Sequence, residues 1–264
     1  MGTETSQCLH TNSTTIHSEL NCKKSTIMSA FLGEFIGTAL LILLGGGVVG
    51  NVVLKETKGN NSGWIVITFG WGMAVFVGVY ASTHLGGSGH LNPAVSIALA
   101  AFDRFDAGLL TTYIGAQLAG AITGALLVWL VYKPHFDAST DADGKMAVFC
   151  TAPAIRKPVF NFLSECIGAF VLLFGALCIS KPSGSMGALD ALPVAFLVLA
   201  IGLSLGGPTG YAINPARDLG PRIVHFILPI AGKRNSDWGY AWIPIAGPIA
   251  GALLAAAVYS VVIK

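Results

Sequence analysis

Apolar residues in this chain fall in long unbroken runs. Six of them, at 28–53, 63–82, 108–132, 160–179, 189–206 and 238–263, are long enough to cross a hydrocarbon core, which takes about 20 residues of helix. Two further apolar stretches, 94–101 and 216–228, are too short to span, and the second is interrupted by Gly220-Pro221. Each begins inside the triplet Asn-Pro-Ala, at Asn92-Pro93-Ala94 and Asn214-Pro215-Ala216. Proline suits the first helical position, where its missing N–H would have no partner, and asparagine just before it is a good N-cap. Both triplets therefore predict a short helix. A short helix at membrane depth is tolerated only where protein covers it or it lines a watery cavity, and two in corresponding places point to a transport site.

Composition agrees with an integral membrane protein: 53% of the 264 residues are hydrophobic, 11% are charged, and the mean hydropathy is +0.70. The net charge of +2 comes without a basic cluster, so nucleic acid is not an expected partner. The cysteines Cys8, Cys22, Cys150, Cys166 and Cys178 form no CxxC pair. Their odd number, with two inside apolar runs, favours free thiols over a disulfide framework or metal site. The histidines other than His90 have no metal-ligand spacing, and no cofactor is expected. Residues 1–26 are polar and carry no apolar signal-peptide core, so they read as a disordered tail. The remainder, 27–264, reads as one channel domain. Two matches to the glycosylation sequon, at Asn12 and Asn60, are of a kind common by chance.

The domain divides into two similar halves, 28–132 and 159–263, joined by the polar stretch 133–158. Gly33-Glu34-Phe35-Ile36-Gly37-Thr38 aligns with Ser164-Glu165-Cys166-Ile167-Gly168-Ala169. At the same offset Gln117-Leu118-Ala119-Gly120 aligns with Pro248-Ile249-Ala250-Gly251. Three spans per half force the second copy to enter the membrane from the opposite face. The predicted fold is thus an all-α inverted repeat whose two half-helices meet N-terminus to N-terminus near the midplane. Glycines on the spans, among them Gly33, Gly37, Gly115, Gly120, Gly124, Gly247 and Gly251, suit close helix packing.

Asn92 and Asn214 are expected to cap the half-helices and also to offer amide N–H donors to the lumen. Two helix N-termini there add positive potential, which repels cations and turns a passing water so that it cannot relay a proton. Arg217, one residue past the second triplet, is expensive at membrane depth unless it faces a polar lumen. Its planar fork suits paired hydrogen bonds to adjacent hydroxyls. The non-helical stretches 86–90 and 206–210, with Ser88, Gly89, His90, Thr209 and Gly210, are expected to line the pore as a ladder of backbone carbonyls. His90 reads equally as a lumen donor or a packing residue.

Glu34, Gly-His-Leu-Asn-Pro-Ala-Val at 89–95, Gln117, Glu165 and Gly-Tyr-Ala-Ile-Asn-Pro-Ala-Arg-Asp at 210–218 together resemble the major intrinsic proteins, the aquaporins and glycerol facilitators. The resemblance covers about residues 28–263. Asp218, Arg222 and Pro244-Ile245 make the chain similar to the aquaglyceroporin branch, which includes bacterial glycerol uptake facilitators. It implies an aquaporin fold and a homotetramer with one pore per subunit. It also implies a constriction of Trp71, Gly202, Tyr211 and Arg217, in which Gly202 widens the ring and Trp71 with Tyr211 forms an apolar corner. Glu34, Glu165, Gln117 and Asp218 would brace the loops, although intramembrane carboxylates also admit a proton-relay reading.

The function expected is passive conduction of glycerol, small uncharged solutes and some water through a plasma membrane, without enzyme activity. Another neutral solute (dihydroxyacetone, urea, protonated lactic acid) or proton-coupled transport through Glu34 and Glu165 stands as the alternative. The family orientation puts both termini in the cytoplasm. With it only Lys23, Lys24, Arg104, Lys181 and Lys264, five of the 15 basic residues, lie inside, the reverse of the positive-inside rule.

Overall fold

The computed structural model describes residues 7–179 and 184–263, with side chains from residue 27 onward. Its helices are α1 (Gln7–Val53), α2 (Trp64–His84), α3 (Pro93–Ala101), α4 (Leu110–Ala138), α5 (Ala142–Ala147), α6 (Pro158–Cys178), α7 (Leu192–Leu205), α8 (Pro215–Ile227) and α9 (Ile243–Val262). No strand occurs among the described residues. Six apolar helical segments are long enough to cross a membrane: Ile27–Val53, Trp64–His84, Ala107–Ala138, Pro158–Cys178, Gly187–Leu205 and Ile243–Val262. They coincide with the six predicted runs to within two residues, except that the third continues to Ala138, past the predicted end at 132, and the sixth starts late. α3 and α8 are the two half-helices.

Beyond the longer third span, the structure differs from expectation in three places. α1 begins at Gln7, so the segment read as an unstructured tail continues the first span as helix from that residue. No glycine or proline interrupts 7–32. The sixth span starts at Ile243, because the chain turns at 237–242 and Asp237 adopts a left-handed φ of 49°. α8 runs unbroken through Gly220-Pro221. Gly220 is there for close approach: a β-carbon would stand 2.7 Å from the Ala121 side chain and 3.2 Å from the Ile122 nitrogen of α4. The proline lies within the turn that the Asp218–Arg222 ion pair bridges, which holds the helix across it.

In the first half α1 packs along α4 and α2, and in the second α6 packs along α9. The half-helices exchange sides. α3, from the first half, packs against α9, while α8, from the second, packs against α4. At the matched positions Gly120 and Gly251 a β-carbon would lie 2.3 Å from the Phe35 carbonyl and 2.0 Å from the Cys166 carbonyl. Both helix crossings therefore depend on a missing side chain. Gly115, expected to pack likewise, faces open space.

A candidate pore between two half-helix tips

Asn92 and Asn214 cap α3 and α8 with nearly superposable backbones, at φ/ψ of −155°/114° and −155°/111°. The Asn92 Oδ1 accepts from the Ala94 N–H, and the Asn214 Oδ1 accepts from Ala216 and Arg217. Each Nδ2 crosses to the other repeat. Asn92 donates to the Ile213 carbonyl at 2.8 Å and Asn214 to the Leu91 carbonyl at 2.7 Å. An amide NH₂ has two donors, so one remains on each side chain for the lumen, which both residues line. The tips are thus locked together by the same amide groups that line the cavity.

The residues before the asparagines, Leu91 and Ile213, have left-handed φ values of 50° and 44°, a conformation that costs a non-glycine residue about 1–3 kcal/mol. Two buried carboxylates offset that cost. Glu34 accepts from the His90 and Leu91 N–H groups at 3.0 and 2.8 Å, and Glu165 accepts from Ala212 and Ile213 at 3.0 and 2.7 Å. In the first repeat Gln117 Nε2 and the Ser82 hydroxyl also donate to Glu34. In the second, where Pro248 replaces glutamine, the buried Thr209 side chain stands beside Glu165. A buried carboxylate is tolerable when several N–H and O–H donors converge on it. Neither glutamate lines either of the two cavities that flank the tips.

Two cavities meet at this level. The larger, about 650 Å³, holds Ser88, Gly89, His90, Asn92 and Asn214. The smaller, about 510 Å³, holds Thr151, Gly207 and Gly210. Trp71, Tyr211 and Arg217 line both and so form the partition. The Arg217 guanidinium lies 4.2 Å from the Trp71 ring centroid and makes no side-chain hydrogen bond to protein among the described residues. The aromatic face compensates part of its desolvation and leaves its N–H fork without a protein acceptor. Among the described residues the carbonyls of Gly89, His90, Gly210, Tyr211 and Ala212 likewise accept no hydrogen bond from protein, as a ladder of acceptors requires.

Gly202 stands elsewhere than expected. It lines neither cavity. A β-carbon on it would sit 2.8 Å from Tyr211 Cζ and 3.1 Å from a Thr68 methyl. Its missing side chain seats the Tyr211 ring, and the ring makes the wall. Thr209 is also behind the wall, fully buried on Glu165. His90 joins the two roles left open for it: it lines the larger cavity, its Nδ1 pairs with the Ser96 hydroxyl at 3.0 Å, and its ring packs on Phe105 and Tyr113.

Asp218 and Arg222 form a buried pair at 2.7 Å behind the partition. Asp218 Oδ2 accepts from both the backbone N–H and the hydroxyl of Thr151, while Arg222 donates to the carbonyls of Thr151, Ser236 and Asp237. One ion pair thereby pins both loops that roof the smaller cavity. Cys150, next to Thr151, is buried, and burial together with the nearby Asp218 carboxylate pushes its thiol up to about 12. The neutral thiol is not a nucleophile. Cys150 should stay unmodified by maleimide at pH 8 in the folded protein, which peptide mass spectrometry reads directly; labelling at the rate of a free thiol would contradict this.

Sequence reasoning missed Ser82, Ser96, Trp64 and Thr151. Ser96 had a signal: it lies one helical turn after Asn92, on the face that turns back toward the loop. Thr151 had none, because its partner Asp218 is 67 residues away.

Six spans, two opposed half-helices and a partition of arginine and aromatics define a membrane channel. The chain belongs to the major intrinsic protein family, whose model matches residues 21–259. It is 57% identical over 233 residues to a probable glycerol uptake facilitator protein of Thermotoga maritima, covering 88% of this chain and 99% of that one. It is 52% identical to glycerol uptake facilitator protein 3 of Lactiplantibacillus plantarum, covering 90% and 98%. Among solved structures, the aquaglyceroporin of Plasmodium falciparum superposes with a TM-score of 0.79 at 32% identity, covering 90% of this chain and 97% of that one.

Proposed function

We propose that this protein is a passive channel for glycerol and other small uncharged solutes, with some water permeability, that excludes protons and ions. The observation that carries this is the partition: an unpaired Arg217 fork held over Trp71, with Tyr211 completing an apolar wall. A polyol has hydroxyls for the fork and the carbonyl ladder and a carbon backbone for the aromatic side, whereas a cation would have to shed its water against the Arg217 charge and two helix N-termini. The names of its relatives support the same solute class.

The burial of Glu34 and Glu165 away from both cavities favours bracing over proton relay. Glycerol flux should therefore be indifferent to a transmembrane pH gradient, and Glu34→Gln and Glu165→Gln should lower folded yield more than they alter any pH profile. Stopped-flow shrinkage of proteoliposomes in glycerol, set against empty liposomes, tests the whole reading. Glycerol permeability no greater than that of empty liposomes would end it, and uphill uptake driven by a proton gradient would replace it with coupled transport.

A plasma-membrane location with both termini cytoplasmic follows from the family resemblance, and six spans put the two termini on one side. The adverse count of basic residues has a physical account. Arg217 and Arg222 are buried in α8. Lys145 donates to the Ala231 carbonyl, Lys233 caps the last carbonyls of α8, and Lys133, Arg156 and Arg234 are in ion pairs. These are structural cations, unlike the free loop charges on which the rule rests. Bulky exposed side chains on the outer faces of the spans, such as Phe69, Val131, Phe160, Phe196 and Val261, suit contact with lipid and with neighbouring copies in a homotetramer.

A further inference from the structure

The Tyr211 ring has no polar anchor. Its hydroxyl is buried without a hydrogen-bond partner, so packing alone decides how far the ring leans into the partition. Two glycines make its floor. A β-carbon would stand 2.8 Å from the ring at Gly202 and 2.4 Å from it at Gly206. Trp64, the first residue of α2, closes the remaining side. Its ring meets Tyr211 edge to face, with centroids 5.9 Å apart and planes at 78°. The Trp64 indole N–H donates to the Gly202 carbonyl at 3.2 Å. That carbonyl lies in the last turn of α7, one residue before the helix's unpaired carbonyls begin. The indole is thus tied to the end of α7 and held at a fixed angle against Tyr211. Trp64 lines only the smaller cavity, outside the partition.

We propose that Trp64 is a positioning residue that sets the aperture of the partition by pressing Tyr211 onto the Gly202 and Gly206 floor, and so determines the widest polyol the pore admits. This rests on the reading of Trp71, Tyr211 and Arg217 as the polyol constriction. Removing Trp64 gives the Tyr211 ring room to swing away from Arg217. The effect should be on size selection more than on total conductance.

The test compares shrinkage of proteoliposomes in water, glycerol, erythritol and xylitol for wild type, Trp64→Phe, Trp64→Ala, Tyr211→Leu and the Trp64→Ala/Tyr211→Leu double variant. Trp64→Ala should raise the erythritol-to-glycerol permeability ratio about fivefold, the scale of one lost aromatic contact. Trp64→Phe keeps a ring against Tyr211 and should stay within about twofold of wild type. In the Tyr211→Leu background Trp64→Ala should change the ratio no further, because Trp64 acts through that ring. An unchanged ratio in Trp64→Ala overturns the proposal, as does a shift that persists in full without Tyr211. Should Trp64→Ala fail to fold, Trp64→Leu, which keeps bulk but no aromatic edge, carries the same comparisons. Wild-type protein that passes no glycerol would sink the channel reading itself; wild-type protein that passes it, with an unmoved ratio in the variant, sinks only the role of Trp64.

Discussion

Replacing Arg222 with methionine should destabilise the folded protein by about 3–5 kcal/mol, the cost of leaving a buried carboxylate without its partner. Asp218 is fully buried, and Arg222 is the only cation paired with it among the described residues. Arg222 also carries three carbonyl contacts that fix the loops around Thr151 and Ser236–Asp237. Its loss should both unpair a charge and release the roof of the smaller cavity. Thermal unfolding in detergent measures the first effect, and folded yield the second. The double variant Asp218→Asn/Arg222→Met removes the stranded charge and should recover part of the loss. If the single variant melts within a degree of wild type, the pair does not hold these loops. If the double variant is worse by the sum of both single changes, the two residues act independently.

Asn92→Asp and Asn214→Asp should each abolish most glycerol flux. The capping oxygen survives, but the Nδ2 donor becomes an oxygen pointing at the Ile213 or Leu91 carbonyl, which now stands 2.8 or 2.7 Å from a donor. Two acceptors at that distance repel, and a buried acceptor losing its partner costs about 1–3 kcal/mol. The tips should part, the lumen should lose one of its two midplane donors, and a negative charge should offset the positive potential of the helix ends. A loss of glycerol flux of about tenfold or more follows from each 1.4 kcal/mol of lost stabilisation. Cation leak should rise as flux falls. Proteoliposome shrinkage and a potential-sensitive dye report the two together. Wild-type glycerol flux with intact cation exclusion in both variants would remove the asparagines from the mechanism.

Much of the pore was readable from the chain because its determinants are local. Asn-Pro-Ala specifies a capped helix start by backbone chemistry alone, and run length separates a span from a half-helix. The same logic gave the inverted repeat, since Glu34 and Glu165 recur at matched places and three spans must reverse the second copy. Each carboxylate accepts from two loop N–H groups at matched backbone positions of its repeat. Where local signals mislead, a distant neighbour is the reason. Gly220-Pro221 reads as a helix break, yet α8 continues because Ala121 needs the missing β-carbon and Arg222 bridges the turn. Gly202 reads as an opening, yet Tyr211 fills it.

The sequence by itself determined how many times the chain crosses the membrane, where it turns back, and which groups it brings to the midplane, because these depend on hydropathy, capping and repeat spacing along one strand of chain. Only the tertiary structure decided which groups face the lumen and which stand behind them. The cross-repeat bonds of Asn92 and Asn214, the seat of Tyr211 against Gly202, Gly206 and Trp64, and the hold of Asp218 and Arg222 on Thr151 join residues far apart in the chain. Such contacts arise from helix packing geometry, which has no periodicity or spacing for a sequence to display.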